Sequence, residues 1–118
     1  MSYSLRKNRE FRQVYRNGRS FANKYLVMYV LENGSGRTYL GITVSKKVGN
    51  SVVRHRVTRL IRESFRLNEM MFNSGLNIVV VAKANANGAS YNDIETALLH
   101  LMKLHRIKKH EENSPICN

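Results

Sequence analysis

The sequence has few of the residues that form covalent cross-links, chain breaks or membrane spans. Its one cysteine, Cys117, has no internal partner for a disulfide and cannot form a zinc site alone. Its one proline, Pro115, also lies near the end of the sequence, and no low-complexity linker divides the chain. No apolar run approaches the roughly 20 residues needed to cross a bilayer. The 118 residues therefore predict one domain with one modest core.

The N-terminal residues lack the apolar segment that directs secretion. Residues 1–7 read Met-Ser-Tyr-Ser-Leu-Arg-Lys, without the hydrophobic region of a signal peptide. We therefore expect the protein to be cytoplasmic, with no membrane partner.

Acidic residues are scarce. Lysine and arginine number 20 against 8 aspartates and glutamates, which gives a formal net charge of +12. No acid occurs from Asn33 to Arg62, although lysines and arginines recur throughout that stretch. A protein that needed charge only for solubility would intersperse the two signs. The imbalance indicates a polyanionic partner, with nucleic acid ahead of an anionic membrane.

The sequence also offers little hydrolytic machinery. Asp93 and Glu95 fall at the start of a predicted helix, where interaction with the helix dipole accounts for them. No carboxylate cluster is evident that would hold a pair of Mg²⁺ ions for phosphodiester cleavage. We therefore predict no catalytic residue and no metal ligand. No nucleophile or metal-ligand spacing is found around the four histidines, which are His55, His100, His105 and His110.

Three helices are predicted from the apolar period and from capping residues. The first runs over Asn8–Asn17, with Asn8 as its N-cap and Gly18 after its end. The second begins at Asn50 or Ser51 and reaches about Asn68, and the third follows a capping box at Ser90 and Asp93. The apolar period stops at Arg106, so a flexible basic tail is expected over about 107–118.

Four strands complete an α+β fold with the element order αβββαβα and a mixed sheet. They are predicted at residues 20–23, 25–31, 37–45 and 76–83. The last strand is expected to be central, because its apolar run is nearly continuous. Between the second and third strands, Asn33-Gly34-Ser35-Gly36 is typical of a hairpin turn.

The long second helix is predicted to have an apolar side and a cationic side. Two lysines precede a glycine turn before it, and the free N–H groups at a helix start attract phosphate. Only Glu63 and Glu69 are available to neutralise its arginines, which disfavours a merely solvated surface. The predicted packed residues are Val53, Val57, Leu60, Ser64, Leu67 and Met71. The predicted cationic residues are His55, Arg59, Arg62 and Arg66, with Arg54 and Arg56 on the flanks.

This stretch resembles the signature of the bacterial ribonuclease P protein component. In that family Lys-Lys, Gly-Asn, a small residue and an Arg-Asn-Arg box open the RNA-contacting helix. The matching residues here are Lys46, Lys47, Gly49, Asn50, Arg54, Arg56, Arg59, Arg62 and Glu63. Further similarity is carried by Leu5, Phe11, Tyr15, Gly18, Ser20, Ala22, Asn23, Tyr29, Gly41, Val44 and Ser45, so it covers about residues 5–107. The sequence departs from the family at His55, the centre of the box, and at Thr58, a position that is often basic.

The resemblance implies a fold similar to the second domain of ribosomal protein S5. That fold has a left-handed β-α-β crossover, whereas general rules favour the right-handed form. The resemblance also implies a cleft for the single-stranded 5′ leader of precursor tRNA, lined by Phe11, Tyr15 and Tyr29. Aromatic rings suit a leader of variable sequence because every base has a face to stack on. Ordinary core packing is the alternative role for these rings. The residues implied to bind the catalytic RNA and phosphates are Lys46, Lys47, Asn50, Arg54, His55, Arg56, Arg59, Arg62 and Arg66.

The resemblance assigns catalysis to an RNA subunit. That RNA would bind most of the Mg²⁺ and remove the leader, while the protein alone would be inert. The implied partners are the ribonuclease P RNA and precursor tRNA, with no protein partner required. A ribosomal or other structural RNA-binding protein is the alternative, and it would show no preference for leader-bearing precursors. A stand-alone nuclease would need acidic and metal-binding residues, and a DNA-reading protein would need a dimerisation device that is not evident.

Overall fold

The computed structural model describes residues 2–107, which form a five-stranded mixed sheet with helices on both faces. The strands are β1 (Ser2–Ser4), β2 (Arg19–Ala22), β3 (Leu26–Glu32), β4 (Thr38–Thr43) and β5 (Leu76–Ala82). The helices are α1 (Asn8–Asn17), α2 (Ser51–Asn68) and α3 (Tyr91–His105), with single 3₁₀ turns at Glu69–Met71 and Ala84–Ala86. The single α+β domain predicted from the sequence is confirmed.

The strand order is β1-β4-β5-β3-β2, so β5 is central as predicted. β5 pairs in parallel with β4 and antiparallel with β3, while β1 adds to β4 in parallel and β2 adds to β3 antiparallel. α2 therefore connects two parallel neighbours, β4 and β5, which is the crossover unit that the resemblance implied. Its left hand stays a prediction.

The predicted hairpin at residues 33–36 is wrong, because β5 lies between β3 and β4. The loop instead crosses the start of β5. The Asn33 backbone N–H donates to the Gly75 carbonyl oxygen at 2.9 Å, and the Asn33 side-chain amide donates to the Asn77 side-chain oxygen at 2.9 Å. Gly75 has a φ of +80°, and a Cβ there would lie 2.6 Å from the Ser35 carbonyl oxygen. The turn residues that suggested a hairpin instead connect β3 to β4 across the start of β5.

Strand β1 was not predicted from the sequence. Its three residues have no apolar alternation, and its pairing with β4 is not local in sequence. The Tyr3 ring packs against the Tyr39 ring with centroids 5.6 Å apart, and the Arg37 guanidinium lies 5.0 Å from the Tyr3 ring centroid. Tertiary contacts therefore hold this edge strand.

The sheet separates two packing layers. On one face, alternate residues of β3, namely Leu26, Met28 and Val30, join the large core under α2 and α3. On the other face, α1 covers a smaller cluster around Leu5, Val14 and Val79.

Both ends of α1 differ in detail from the prediction. Its N-cap is Lys7 rather than Asn8, and the Glu10 carboxylate accepts the backbone N–H groups of Lys7 at 3.0 Å and Arg6 at 3.1 Å. These hydrogen bonds lower the pKa of Glu10. Gly18 follows the helix with a φ of −83°, so no left-handed cap is formed. Glycine is needed for space, since a Cβ would lie 2.6 Å from the Val14 carbonyl oxygen.

The packed side of α2 is rotated from the predicted stripe. Val57 and Ser64 are buried as expected, but Ile61 and Phe65 supply the remaining buried residues. Leu67, which was placed in the stripe, is 58% exposed. Leu67 lies near the C-terminal end of the helix, away from the central buried residues.

Helix α3 has the reciprocal capping box predicted from Ser90 and Asp93. It ends at His105, and Arg106 adopts a left-handed conformation with a φ of 60°. Ile107 is then buried in the large core, so the packed chain extends through the first residue assigned to the tail. The rest of the expected tail lies outside the described residues.

Candidate nucleic-acid interface

The exposed side of α2 is cationic along most of its length. Arg56, Arg59 and Arg62 are exposed at spacings of three residues, and His55 is exposed beside them. Ser51, Val52, His55, Arg56 and Arg59 line an open groove along the first half of the helix. His55, Arg59 and Arg62 were predicted on the cationic side and Arg56 on its flank, and all four are exposed.

Arg66 continues this side but is paired. Its Nη2 atom lies 2.7 Å from Oε2 of Glu63 and its Nε atom 3.2 Å from Oε1, which makes a two-point contact within the helix. The Arg66 guanidinium lowers the pKa of Glu63. Both side chains are largely exposed, so this pair contributes little to stability. It does make Arg66 less available to a polyanion than Arg59 or Arg62.

Arg54 is not on the flank where the sequence placed it. Successive helical residues are about 100° apart, so Arg54 aligns with Ile61 and Phe65 on the packed side of α2. Its side chain is half-buried, and its Nε atom is inaccessible to water and has no hydrogen-bond partner among residues 2–107. A buried donor of this kind calls for a partner. Arg54 therefore differs in environment from the exposed arginines of α2.

The turn before α2 presents two lysines. Lys46 and Lys47 are exposed, while the next residue, Val48, is buried and anchors the turn to the core. The Asn87 side-chain amide donates to the Val48 carbonyl oxygen at 3.0 Å. At Gly49 a Cβ would lie 2.8 Å from Cγ1 of Val53, so the chain can pass this close to α2 only with glycine.

Asn50 acts as the N-cap of α2. Its side-chain oxygen accepts the backbone N–H of Val53 at 3.0 Å. The side chain of Asn50, which the resemblance assigned to RNA binding, therefore uses its oxygen to cap α2. The helix start, with Lys46 and Lys47 beside it, forms a positive end of the kind that binds anions.

Three aromatic residues come together between α1 and the sheet. The rings of Tyr15 and Tyr29 meet edge to face, with centroids 4.9 Å apart and planes at 80°. The Tyr15 hydroxyl lies 3.0 Å from Oγ1 of Thr43, and Tyr15 is 37% exposed. Phe11 is more enclosed and covers Gly41, where a Cβ would lie 2.6 Å from the Phe11 ring. Phe11 therefore packs α1 onto the sheet, and Tyr15 with Tyr29 offers accessible ring surface.

Sequence reasoning passed over the outer side of α1. Arg9, Arg12 and Arg16 line an open groove there together with Glu10, Gln13 and Asn17. The sequence pattern could have indicated this cationic side, because these arginines fall opposite the apolar residues of the predicted helix. Sequence reasoning also left open whether His105 is a surface or packing residue, and the structure buries it in the core.

Within residues 2–107, no three histidine, cysteine, aspartate or glutamate side chains are placed to share a metal ion. No helix in the same part of the chain is long and apolar enough to span a membrane.

Comparisons with known proteins identify the family and agree with the fold. The family model described as Ribonuclease P matches residues 1–106. A ribonuclease P protein component from Lachnoclostridium phytofermentans is 62% identical over 107 residues, covering 91% of this chain and 92% of the relative. Another from Alkaliphilus metalliredigens is 52% identical over 99 residues, covering 84% and 89%.

Solved structures give the same result. The RNase P protein of Staphylococcus aureus superposes with a TM-score of 0.84 at 33% identity, covering 92% of this chain and all of that one. The RNase P protein of Thermotoga maritima superposes with a TM-score of 0.79 at 31% identity, covering 90% and 98%.

Proposed function

Because the chain belongs to the bacterial ribonuclease P protein family, the protein component of a tRNA-processing ribonucleoprotein, we propose that it binds two RNAs through two surfaces. The catalytic RNA binds the exposed side of α2 and the turn before it. The 5′ leader of precursor tRNA binds the aromatic cleft between α1 and the sheet. The protein thereby helps the RNA subunit to remove the leader.

Charge and shape support the first surface. Arg56, Arg59 and Arg62 project from one rigid helix, and an arginine side chain can bind a phosphate through two N–H groups. Folded RNA is recognised largely through its phosphates and shape, since its deep major groove is closed to side chains. A row of arginines along one helix fits this kind of recognition.

The observation that carries the second surface is the edge-to-face Tyr15–Tyr29 pair, in which Tyr15 is exposed and Tyr29 partly buried. The hydrogen bond between Tyr15 and Thr43 fixes the Tyr15 ring beside the sheet. A ring that is held in place before binding loses less conformational entropy when a base stacks on it. Stacking is tolerant of sequence, which suits a leader that differs from one precursor to another.

We assign the chemistry to the RNA subunit and its Mg²⁺. The described residues do not fit a protein-held magnesium site, because no group of three suitable side chains converges among them. The protein's contribution is to neutralise phosphate charge and hold the substrate, which lowers the Mg²⁺ concentration that the RNA needs.

Reconstitution tests this function. The chain combined with a ribonuclease P RNA should cleave precursor tRNA at a Mg²⁺ concentration at which that RNA alone is slow. The protein without RNA should not cleave, even in excess Mg²⁺. Failure to stimulate the RNA would favour a structural RNA-binding protein, and specific cleavage after nuclease treatment of the protein would contradict the assignment of catalysis to RNA.

A further inference from the structure

The arginines of α1 occupy the outer side of the helix, and the nearest of them, Arg12, borders Tyr15. With residues about 100° apart, Arg12 is about 60° and Arg16 about 100° around the helix from Tyr15. Arg9 falls close to Arg16 in the same arc, and Glu10 lies about 100° beyond Arg9, at the far edge of the same groove. The cationic arc of α1 therefore begins beside the ring that borders the cleft.

One acid, Glu10, lines the groove beside this arc, and its carboxylate is engaged by backbone N–H groups. Glu10 is the only acid between the N-terminus and Glu32, and its carboxylate accepts the backbone N–H groups of Arg6 and Lys7. Among residues 2–107, the side chains of Arg9, Arg12 and Arg16 form no ion pair or hydrogen bond. The α1 arginines thus differ from Arg66, which Glu63 engages.

We propose that Arg12 and Arg16, assisted by Arg9, bind the phosphates of the single-stranded leader whose bases stack on Tyr15 and Tyr29. The proposal rests on the leader site proposed above and extends it from the cleft onto the outer side of α1. Arg12 and Arg16 are about 6 Å apart along the helix axis, so each can meet a different phosphate. One helix then supplies both ring surface and positive charge to the same strand.

The arrangement is chemically suited to a single strand. A strand whose bases stack on the exposed surface of Tyr15 can direct its backbone outward, where the arginines are. Proteins that bind single strands without sequence preference combine stacking rings with such a cationic track. Arginine adds a planar fork that can hold a phosphate at two points.

The test uses the reconstituted ribonucleoprotein with the double variant Arg12→Gln and Arg16→Gln. Affinity is measured over a range of salt concentrations for precursor tRNA with a several-nucleotide leader and with a single-nucleotide leader. For the longer leader the log–log salt slope should fall by about 1.4, or about 0.7 per lost single-strand phosphate contact. The slope for the single-nucleotide leader should not change, and neither should the affinity of the protein for the catalytic RNA.

Two control variants sharpen this test. Lys103→Gln removes an exposed charge from α3 and should leave both slopes unchanged. Arg12→Lys with Arg16→Lys keeps the charge and should retain most of the slope. An unchanged slope in the glutamine variant, or an equal loss with both leaders, would overturn the proposal. Weaker binding to the catalytic RNA would also overturn it, because the arginines would then contact that RNA.

The variant Tyr15→Ala separates failure of this inference from failure of the leader site. If Tyr15→Ala loses leader-dependent affinity and the arginine variant does not, the phosphates lie elsewhere and only this proposal fails. If neither variant loses it, the leader does not bind at α1 at all, and the proposed leader site fails with it.

Discussion

The hydroxyl oxygen of Tyr15 lies 3.0 Å from Oγ1 of Thr43, which ties α1 to the end of β4 beside the edge-to-face contact of Tyr15 with Tyr29. The hydroxyl of Tyr15 therefore positions the side chain, while its ring is the part that can stack on a base. A phenylalanine at residue 15 keeps the ring and loses only the hydrogen bond.

Tyr15→Phe should therefore retain most of the affinity for leader-bearing precursor. Thr43→Val removes the same hydrogen bond from the other side and should give a similar, small loss. A typical hydrogen bond contributes about 0.5–1.5 kcal/mol, and this partly exposed one should lie at the lower end. Equilibrium binding of precursor to the reconstituted ribonucleoprotein checks this. A loss in Tyr15→Phe as large as that in Tyr15→Ala would show that the hydroxyl, not the ring, contacts RNA.

The exposed arginines of α2 should each contribute to salt-dependent binding of the catalytic RNA. Arg56→Ala, Arg59→Ala and Arg62→Ala should each lower the log–log salt slope by about 0.7–0.9, with melting temperatures close to that of the parent protein. Arg66→Ala should lower it less, because Glu63 already engages that side chain. Binding titrations at several salt concentrations measure this. Equal slopes across all four variants and the parent would identify a merely solvated surface.

Arg54 is expected to behave differently from those residues. The sequence placed it on a flank, but its half-buried stem packs on the core side of α2. Arg54→Ala should therefore lower the free energy of unfolding as well as RNA affinity, since long side chains also contribute packing. Chemical denaturation of Arg54→Ala, with Arg59→Ala as the matched control, measures this. No difference in stability between the two variants would contradict the structural assignment.

Stability should fall in mild acid because of His105. Its Nε2 atom lies 2.8 Å from the Met28 carbonyl oxygen in the core, and its Nδ1 atom is buried without a partner among the described residues. Burial lowers the pKa of His105, with a smaller contribution from the nearby charge of Arg19. The unfolded chain therefore binds a proton more readily than the folded one. The stabilising contribution is complete above the unfolded pKa of about 6.5 and is lost as the pH falls below it toward the folded pKa.

Urea unfolding at about pH 7.5 and about pH 5.5 measures this effect, a window that straddles the ordinary histidine pKa of about 6.5. His105→Gln should flatten the difference between the two conditions even if it lowers stability in both. Glu10 and Asp93 have lowered pKa values and titrate below this window, so they do not confuse the comparison. A pH difference that is unchanged in His105→Gln would assign it to another group.

Gly41 should tolerate no side chain. A Cβ there would approach the Phe11 ring to 2.6 Å, so Gly41→Ala should displace α1. Overpacking of this kind costs about 1–3 kcal/mol of stability, and the displaced α1 should also weaken leader binding. Gly36→Ala is the matched control, because a Cβ at Gly36 meets nothing within 4 Å. Thermal unfolding of the two variants should separate them, and equal stability would show that Phe11 moves aside freely.

Much of this architecture could be predicted from sequence where the signal is local. The capping residues predicted for α2 and α3 include the two that the structure shows, Asn50 and Ser90. The aromatic residues of the cleft came from the family resemblance, since Phe11 and Tyr15 taken alone favour core packing.

What could not be predicted depends on contacts between distant residues. The turn at residues 33–36 has local hairpin chemistry, but β5 inserts between its strands from more than 30 residues away. β1 has no local pattern and exists through its pairing with β4. The rotation of α2 that buries Arg54 and exposes Leu67 is set by which apolar residues find space against the sheet, which helical periodicity alone does not decide.

The central claim is that two separate surfaces bind two RNAs, and a crossed measurement tests it most directly. Affinity for the catalytic RNA, and the gain in precursor affinity from a longer leader, are measured for Tyr15→Ala and Arg59→Ala. Tyr15→Ala should lose about 1–3 kcal/mol of the leader-dependent gain and none of the affinity for the catalytic RNA. Arg59→Ala should weaken binding to the catalytic RNA. The ribonucleoprotein assembled with this variant should keep the gain in precursor affinity from a longer leader. Equal losses in both quantities for both variants would contradict the account.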